Sequence, residues 1–208
     1  MREPSQVWER MFAREGLVFT QPHEDAARLA DLLHQRGAQT ILDLGCGSGR
    51  HMLSFAQHHF TMYGIDVAPT GLALTRQQLA QAGLEAQLTQ HDIFAGLPFA
   101  DAFFDAVLSF QVIHHGRLAQ IRSLVEEIRR ILKPNGLVYV TVPQLQNQGS
   151  RFEQIEPGTF IPLDGSEAGL PHHYFTPEEL SDLFRRFAIT DLHLDQGQHY
   201  CLTALLSP

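Results

Sequence analysis

Three glycines and a downstream aspartate in the first half of the chain form the pattern of a nucleoside-binding site. The stretch LDLGCGSGRH places Gly45, Gly47 and Gly49 between an apolar run and a candidate helix. Glycines in such a turn let a ligand approach the backbone because no Cβ atom stands in the way. Asp66 follows about twenty residues later, at the end of the next apolar run, where a carboxylate can accept hydrogen bonds from both hydroxyls of a ribose.

The spacing of the glycines and the residue before them narrow the kind of nucleoside. The stretch reads GxGxG, whereas the dinucleotide fingerprint GxGxxG needs its third glycine where Arg50 stands. Asp43 lies two residues before the first glycine. Its carboxylate would repel a pyrophosphate but would suit an ammonium or sulfonium group. The pattern therefore favours a non-phosphorylated nucleoside that carries positive charge.

The histidines offer a second kind of chemistry. His114 and His115 follow an apolar strand candidate, where an imidazole can take a proton from a substrate heteroatom; a packed, hydrogen-bonded role is the alternative. His172 and His173 are also adjacent, and we include His173 as a third catalytic candidate. Adjacent residues of an extended chain point in opposite directions, and no Cys/His/Asp set has ligand spacing, so we expect no metal site.

Short apolar runs alternate with helical patterns through the middle of the chain, which predicts a parallel sheet with helices on both faces. The strand candidates are residues 40–45, 60–67, 86–91, 104–110 and 137–142, and the helix candidates are 49–59, 69–83 and 118–132. The tetrapeptide KPNG (133–136) is predicted as a turn. The last two strand-like runs, Phe187–Leu194 and His199–Leu206, are joined by a short turn and must therefore be antiparallel.

Both ends of the chain and one internal segment lie outside this alternation. Helical spacing of apolar residues predicts a first helix around Val7–Phe12 and a second over Asp25–Gln35. Residues 143–171 are rich in Gly, Pro, Gln and Ser, which is typical of a lid, a binding loop or a disordered segment. In the sequence TPEEL that follows, Thr176 and Glu179 have the spacing of a helix capping box.

Composition limits the classes of partner. The 208 residues fit one domain, with 44% apolar residues and a formal net charge of −8 from 15 basic and 23 acidic side chains. Lys133 is the only lysine, so we expect no nucleic acid partner. Two cysteines cannot form a disulfide framework. We find neither the apolar core of a signal peptide nor a run long enough to span a membrane, so we expect a cytoplasmic protein without a membrane partner.

Three motifs in order carry a family resemblance. DLGCGSGR resembles motif I of the class I S-adenosylmethionine-dependent methyltransferases, and GID at 64–66 follows at the expected distance. Residues 91–115, HDIFAGLPFADAFFDAVLSFQVIHH, are similar to that family's approach to the fourth strand. RRILKPNGLVYVTVP, at 129–143, resembles its RxLKPGG turn, with Asn135 in place of a glycine. The resemblance is to small bacterial members of the type 11/12 kind and spans roughly residues 40–143.

The resemblance implies the fold and the division of the chain. The fold is α/β, with a Rossmann-like seven-stranded sheet that is mostly parallel, an antiparallel strand near the C-terminus and helices on both faces. Residues 1–208 form a single methyltransferase domain. Within it we expect N-terminal helices in 1–38, a cofactor-binding core in 40–142, a substrate-cover loop in 143–175, and a helix with two strands in 176–208.

The resemblance also implies the cofactor, S-adenosyl-L-methionine, and its contacts. The Gly45–Gly49 backbone lies along the methionine and ribose, Asp66 binds the ribose hydroxyls, and Asp92 accepts from the adenine amino group. A turn or helix-capping role is the alternative for Asp92, and a structural role is the alternative for Asp43 at the methionine ammonium. We expect solvated or capping roles for Arg50 and His51. The candidate cofactor-binding residues are Asp43, Gly45, Cys46, Gly47, Gly49, Asp66, Val67, Asp92, Ile93, Ser109 and Gln111.

The function implied is an enzyme that transfers a methyl group to a small-molecule acceptor by in-line displacement. Trp8 and Phe12 are expected to fold over the cofactor, with a plain hydrophobic anchor as the alternative. Residues 158–175, with Glu167, His172 and His173, are expected to cover the substrate, and a surface excursion packed for stability is the alternative. The alternatives are a non-catalytic S-adenosylmethionine-binding or regulatory subunit and, less in keeping with Asp43, a nicotinamide-dependent oxidoreductase. The sequence leaves open the accepting atom, a general-base role for any histidine, and the oligomeric state.

Overall fold

The computed structural model describes residues 4–145 and 151–207. One seven-stranded sheet has the strand order β3-β2-β1-β4-β5-β10-β9. Neighbouring strands are parallel except β10, which is antiparallel to both β5 and β9. This confirms the predicted fold class. The strands are β1 (Thr40–Leu44), β2 (Thr61–Asp66), β3 (Gln87–Gln90), β4 (Phe104–Phe110), β5 (Leu132–Pro143), β9 (Phe187–Leu194) and β10 (His199–Leu206).

Six α-helices and one short 3-10 turn, Ile93–Ala95, accompany these strands in the described residues. The α2 helix buries the four apolar residues that its sequence spacing places on one face. A Pro at the first turn begins both α4 and α6, where its missing N–H costs no hydrogen bond. The helices are α1 (Pro4–Glu15), α2 (Ala26–Gln35), α3 (Arg50–Gln57), α4 (Pro69–Gln81), α5 (Leu118–Ile131) and α6 (Pro177–Leu183).

The sheet separates two apolar cores because successive strand residues point to opposite faces. In β1, Leu42 and Leu44 pack with α5 and α6 residues in one core. Ile41, which precedes Leu42, packs with α2, α3 and α4 residues in the other. Helices therefore cover both faces, and the carboxyl ends of β1, β2 and β4 meet at one edge, where ligands bind in open α/β sheets.

The segment predicted as a cover loop contains a second, three-stranded antiparallel sheet, which corrects that expectation. Its strands are β6 (Phe152–Glu156), β7 (Thr159–Pro162) and β8 (His172–His173), in the order β6-β7-β8. Gly158 takes a φ of +75° in the tight turn between the first two. Most of the Gly and Pro residues in this part of the segment, whose number is typical of a loop, lie in the turn at Gly158 and in the residues that connect β7 to β8. Residues 146–150 of the predicted cover lie outside the described residues.

Two local predictions differ from the structure in detail. The tetrapeptide KPNG is part of β5 as an irregularity in its pairing with β4, and Asn135 takes a φ of +64° there. At α6, Thr176 Oγ1 accepts a hydrogen bond from the Glu179 backbone N–H at 3.2 Å. The Glu179 carboxylate, however, lies 3.2 Å from Nε2 of His173. Only the Thr176 half of the capping box forms, and the Glu179 side chain is turned toward His173 instead.

Across 4–145 and 151–207, no helix combines the length and the apolar character that crossing a membrane requires.

Candidate cofactor and acceptor site

A cavity of about 470 Å³ opens at the carboxyl edge of the sheet. This volume is within the range of small-molecule sites, which is roughly 300–1,000 Å³. One side is formed by residues after β1, β2 and β3, including Gly45–Gly49 (the glycine loop), Asp66 and Asp92. The other side is formed by residues after β4, by α1 and by Glu167. The fold therefore brings the two kinds of sequence candidate, glycine loop and histidines, to one cavity.

Hydrogen bonds fix the backbone of the glycine loop, and at Gly45 there is no room for a side chain. Gly45 has a φ of +75°, and a Cβ atom there would lie 2.4 Å from Cγ1 of Val112. The backbone N–H groups of Gly45 and Cys46 both donate to the Ile65 carbonyl, at 2.8 and 3.0 Å. Thr75 Oγ1 donates to the Gly47 carbonyl at 2.9 Å. The loop is thus fixed in shape before any ligand arrives.

Asp66 ties the glycine loop to the second strand. Its Oδ2 accepts a hydrogen bond from the Gly47 N–H at 2.8 Å, and its Oδ1 accepts one from the Ala68 N–H at 2.8 Å. Each carboxylate oxygen has a second lone pair, so the side chain, which lines the cavity, retains capacity to accept from a ligand. Burial raises the pKa of Asp66 above its usual value, and the two backbone hydrogen bonds oppose that rise.

Asp92 has the capping role that the sequence allows as the alternative to adenine binding, and it also lines the cavity. Its Oδ1 accepts from the Phe94 N–H at 2.9 Å and begins the 3-10 turn. A carboxylate that caps through one oxygen still offers the other, so capping and adenine recognition are compatible. Val67 and Ile93 line the same side.

Two of the cofactor candidates do not line the cavity. Asp43 is 2% exposed and its Oδ2 has no hydrogen-bond partner within the described residues. Burial raises its pKa to about 7, with Asp66 adding to the rise and Arg50 opposing it. Ser109 is fully buried in β4, and its Oγ likewise lacks a partner in the described part of the chain. Both lie beneath the cavity floor.

Gln111 marks the end of β4 with a strained backbone. Its φ is +61°, a conformation that costs free energy for a non-glycine residue. Two hydrogen bonds to Thr141 hold it: the Gln111 N–H donates to Oγ1 at 2.9 Å, and Nε2 donates to the same oxygen at 3.1 Å. This backbone conformation changes the direction of the chain at the end of β4. Val112, His114 and His115, which follow, line the cavity.

The first helix covers both sides of the cavity. A ring carbon of Phe12 would lie 3.1 Å from a Cβ atom on Gly47, so the helix packs directly on the glycine loop. The ring of Trp8 meets that of His115 edge-on, with centroids 4.9 Å apart. Glu9 accepts hydrogen bonds from the backbone N–H and the hydroxyl of Thr70 at the start of α4. Trp8 and Phe12 therefore line the cavity from α1, beside His115 and the glycine loop.

Three imidazoles from two distant segments meet on the acceptor side; we call His114, His115 and His172 the histidine wall. The ring centroids of His114 and His115 are 3.9 Å apart, and those of His115 and His172 are 4.6 Å apart. Burial lowers the pKa of His115 to about 3 and that of His114 well below its usual value. Both are neutral imidazoles at neutral pH. Sequence reasoning treated the two His pairs separately and missed this set.

His173, the third catalytic candidate, points elsewhere. It is fully buried and does not line the cavity. Its Nδ1 lies 2.7 Å from Thr159 Oγ1 in the small sheet. Because β8 is extended, its neighbour His172 faces the opposite way, toward His114 and His115.

His51 was expected to be solvated or to cap a helix, and that expectation is wrong. It is 4% exposed, and its ring stacks on Phe110 with centroids 3.6 Å apart. Its Nε2 accepts a hydrogen bond from the His23 N–H at 3.1 Å. Burial lowers the pKa of His51 well below its usual value. Its position four residues before buried Phe55, on the inner face of α3, is the signal that could have identified it.

A carboxylate from the last hairpin also reaches the cavity, and sequence reasoning did not identify it. Asp195 lies 3.0 Å from Nε2 of His23 and 3.0 Å from Nδ1 of His199, and all three line the cavity. Burial raises the pKa of Asp195, but hydrogen bonds from His199 and His23 outweigh it and leave the pKa lowered. Only the strand order, which places β10 beside β5, brings this turn to the site.

Residues 41–136 match the family model described as a methyltransferase domain. The same residues contain the glycine loop, Asp66, Asp92 and the histidine pair after β4. Over this part of its length the chain is therefore similar to methyltransferase domains, in agreement with its motifs.

Methyltransferases of several kinds are similar to this chain. An uncharacterised methyltransferase of Synechocystis is 32% identical over 99 residues, covering 48% of this chain and 44% of that protein. The 27-O-demethylrifamycin SV methyltransferase of Amycolatopsis mediterranei is 26% identical over 173 residues, covering 75% of this chain and 61% of that one. The chain thus spans less than two thirds of the length of these relatives. Further matches are named as a 24-methylenesterol C-methyltransferase and a probable tRNA methyltransferase.

A solved methyltransferase structure has the same fold over the whole chain. It is the 1,6-didemethyltoxoflavin-N1-methyltransferase of Burkholderia thailandensis, solved with its acceptor and S-adenosylhomocysteine. The TM-score is 0.72 at 18% identity, covering 100% of this chain and 92% of that one. At this identity the likeness establishes the methyltransferase fold, and the roles of individual residues must be argued from this chain.

Proposed function

We propose that this chain transfers the methyl group of S-adenosylmethionine to a small-molecule acceptor. The observation that carries the proposal is the single cavity with the glycine loop and Asp66 on one side and neutral imidazoles on the other. Residues after β1, β2 and β3 supply the cofactor side, and His114 and His115 after β4, with α1 and Glu167, supply the acceptor side. A cavity of this size, lined by Trp8 and its contact with His115, fits a small acceptor beside the cofactor better than a macromolecule.

In this proposal the carboxylates recognise the cofactor. Asp66 accepts from the ribose hydroxyls with the lone pairs that the Gly47 and Ala68 N–H groups leave free. Asp92 accepts from the adenine amino group, and Val67 and Ile93 flank the ring. Gly45, Cys46, Gly47 and Gly49 present backbone to the methionine portion, and Gln111 lies at its methyl-bearing end. Asp43 and Ser109 act from beneath the cavity floor, where Asp43 supplies negative charge toward a cation.

The chemistry proposed is an in-line displacement. A lone pair of the acceptor forms the bond to the methyl carbon while the carbon–sulfur bond breaks, and its electron pair stays on sulfur as a neutral thioether. The leaving group is already activated, so the protein mainly aligns the reactants and excludes water. If the acceptor carries a proton, the neutral rings of His114 and His115 are the candidates to receive it. His173 lies away from the cavity, so we assign it no part in proton transfer.

Calorimetric titration tests the cofactor half of the proposal. We expect S-adenosylmethionine and S-adenosylhomocysteine to bind and NADH not to bind. Asp66→Asn should weaken S-adenosylmethionine by roughly 10- to 100-fold, since a hydrogen bond to a charged group contributes about 1.5–3 kcal/mol. Asp31→Asn, an exposed carboxylate of α2, is the matched control. Binding of NADH alone, or unchanged affinity in Asp66→Asn, would contradict the proposal.

Release of S-adenosylhomocysteine tests the acceptor half. The full chain with S-adenosylmethionine is screened against pools of small thiols, carboxylic acids, amines and phenols, with tRNA as a separate arm. We expect turnover with a small molecule. Turnover with tRNA alone would overturn the small-molecule acceptor, and tight cofactor binding without any turnover would favour the non-catalytic alternative.

A further inference from the structure

One side-chain cluster beside the cavity contains buried ring nitrogens that have no hydrogen-bond partner among the described residues. In the histidine wall, one ring nitrogen from each of His114, His115 and His172 lies within 4.8 Å of the other two. The three residues are 4%, 8% and 5% exposed. The first two follow β4 and the third lies in β8, so the set exists only because the small sheet packs against the end of β4. The His173 N–H, which donates to the His114 carbonyl at 2.8 Å, holds these segments together.

Two nitrogens of this wall lack a protein partner. Nδ1 of His114 and Nδ1 of His115 are buried and make no hydrogen bond within residues 4–145 and 151–207. A buried polar atom without a partner costs roughly 1–3 kcal/mol. Native proteins rarely leave such atoms unpaired, and a bound ion is one of the usual reasons when they do. Two such atoms, on rings whose centroids are 3.9 Å apart, point to a ligand that accepts lone pairs.

His172 supplies a second and independent indication. Its Nδ1 lies 3.0 Å from the Leu170 carbonyl oxygen, and its Nε2 lies 2.7 Å from Oε2 of Glu167. Both neighbours are acceptors, whereas a neutral imidazole has only one N–H to donate. Donation to Leu170 leaves the Nε2 lone pair facing a carboxylate, so positive charge is needed between or on the two groups. Glu167 lines the cavity, which places negative charge beside the wall.

We propose that His114, His115 and His172 bind a divalent transition metal ion. Imidazole nitrogens suit Zn²⁺, Co²⁺, Ni²⁺ and Cu²⁺, whereas Mg²⁺ prefers oxygen. Ligands at about 2.0–2.1 Å from a tetrahedral zinc ion lie roughly 3.3 Å apart, so the rings approach by about 1.5 Å at most on binding. Three protein ligands with a fourth position open is the arrangement of catalytic zinc sites. Here the open position faces the cavity that His114 and His115 line.

The role of the ion in turnover rests on the proposed function, but its binding does not. An ion here would hold the accepting heteroatom of the substrate and lower its pKa, so that the imidazoles act through the ion rather than as bases. The chain's own contribution is to hold three rings in place. His172 is fixed by Leu170, and Trp8 packs edge-on against His115.

Two other groups of potential ligands compete less well for an ion. His23, Asp195 and Cys201 form one, and Asp25, His193 and Cys201 form the other. Their polar atoms already pair with each other: Asp195 with His23 at 3.0 Å, and Asp25 with His193 at 3.1 Å. Burial also raises the pKa of Cys201 to about 12, which disfavours the thiolate that binds metals. These groups are satisfied without an ion.

Metal titration of the full chain tests the site without cofactor or acceptor. After treatment with a chelator and its removal, the protein is titrated with Co²⁺, whose visible absorption reports nitrogen ligation, and then with Zn²⁺ in competition. We expect one equivalent to bind and Mg²⁺ not to displace it. His172→Ala and His115→Ala should each weaken binding at least about 100-fold, because loss of an outer-shell partner alone costs 10- to 100-fold.

Controls separate this site from the alternatives and from misfolding. His59→Asn removes an exposed histidine at a φ of +64°, which asparagine tolerates, and should leave binding unchanged. Circular dichroism and the Tm of each metal-free variant establish that it folds. No binding by the parent, undiminished binding in His172→Ala, or loss in Cys201→Ala instead would overturn the proposal and leave His172 as a hydrogen-bond partner of Glu167 only. Cofactor titration of the same samples reports the proposed function separately.

Discussion

The carboxylates and the imidazoles of the cavity respond to burial in opposite directions. At the glycine loop, burial raises the pKa of Asp43 to about 7 and also raises that of Asp66. At the imidazoles that line the same cavity, burial lowers the pKa of His51 and brings that of His115 to about 3. Desolvation disfavours the charged form in both cases. The carboxylate side therefore gains from a cationic ligand, whereas the imidazole side stays neutral and offers lone pairs.

This contrast predicts opposite pH dependences of stability for the two sides, because protons enter the folded and unfolded states at different pH values. A buried histidine with a lowered pKa takes up its proton in the unfolded chain first, so it destabilises the fold as the pH falls below about 6.5. A buried carboxyl group with a raised pKa takes up its proton in the folded chain first, so it destabilises the fold as the pH rises toward 7.

The largest expected effect is at His51. The parent should lose unfolding free energy from this residue as the pH falls below about 6.5, with a slope of at most about 1.4 kcal/mol per pH unit. His51→Gln keeps an acceptor for the His23 N–H and removes the titration, so its urea-unfolding free energy should fall less steeply with acid. His59→Asn, exposed, should match the parent. An equal slope in His51→Gln and the parent would contradict the burial argument.

At Asp43 the expected change of stability with pH has the opposite sign. Between pH 5 and pH 7 the parent should lose roughly 2–3 kcal/mol from this group as it ionises in the folded state. Asp43→Asn cannot ionise, so its unfolding free energy relative to the parent should increase as the pH is raised over this range. Chemical denaturation at pH 5, 6, 7 and 8 measures this, with Asp31→Asn as the exposed control. A relative stability that stayed flat would place the pKa of Asp43 outside this range.

A substitution at Gly45 should disturb the fixed backbone of the glycine loop on the carboxylate side. Alanine there combines a left-handed backbone with a Cβ atom 2.4 Å from Val112. Gly83 is the matched control, since its φ is +67° and a Cβ atom would meet nothing within 4 Å. The shared backbone cost cancels, and the overpacking should make Gly45→Ala less stable than Gly83→Ala by about 2 kcal/mol. S-adenosylmethionine affinity should fall in Gly45→Ala alone; equal effects would mean that the contact with Val112 relaxes freely.

The smallest expected effect is at Asp92, where one substitution separates capping of the 3-10 turn from the proposed recognition of adenine. Asparagine also caps helices, so Asp92→Asn should change the unfolding free energy by less than about 0.5 kcal/mol. It removes negative charge facing the adenine amino group, so S-adenosylmethionine should bind roughly 5- to 10-fold more weakly, or about 1 kcal/mol. Calorimetry and urea unfolding on one sample test both. A stability loss with unchanged affinity would leave Asp92 as a cap only.

The parts of the site that could be predicted are those encoded by local patterns. Asp66 is identifiable because it ends an apolar run at a fixed distance from Gly45, and α2 because its apolar residues recur at helical spacing. The small sheet was missed because its strands are short and its Gly158 turn reads as loop. His51 was missed because the side chain of a helical residue was assigned to solvent without knowing which face α3 buries.

The sequence by itself determined the alternation of strands and helices, the glycine loop and the order of the methyltransferase motifs. These depend on hydrophobic periodicity and on backbone conformations that act within a few residues. Only the tertiary structure decided that His114 and His115 meet His172, and that Asp195 reaches His23. Such contacts depend on which elements pack together, because side chains far apart in the chain meet only where strand order and sheet packing bring them.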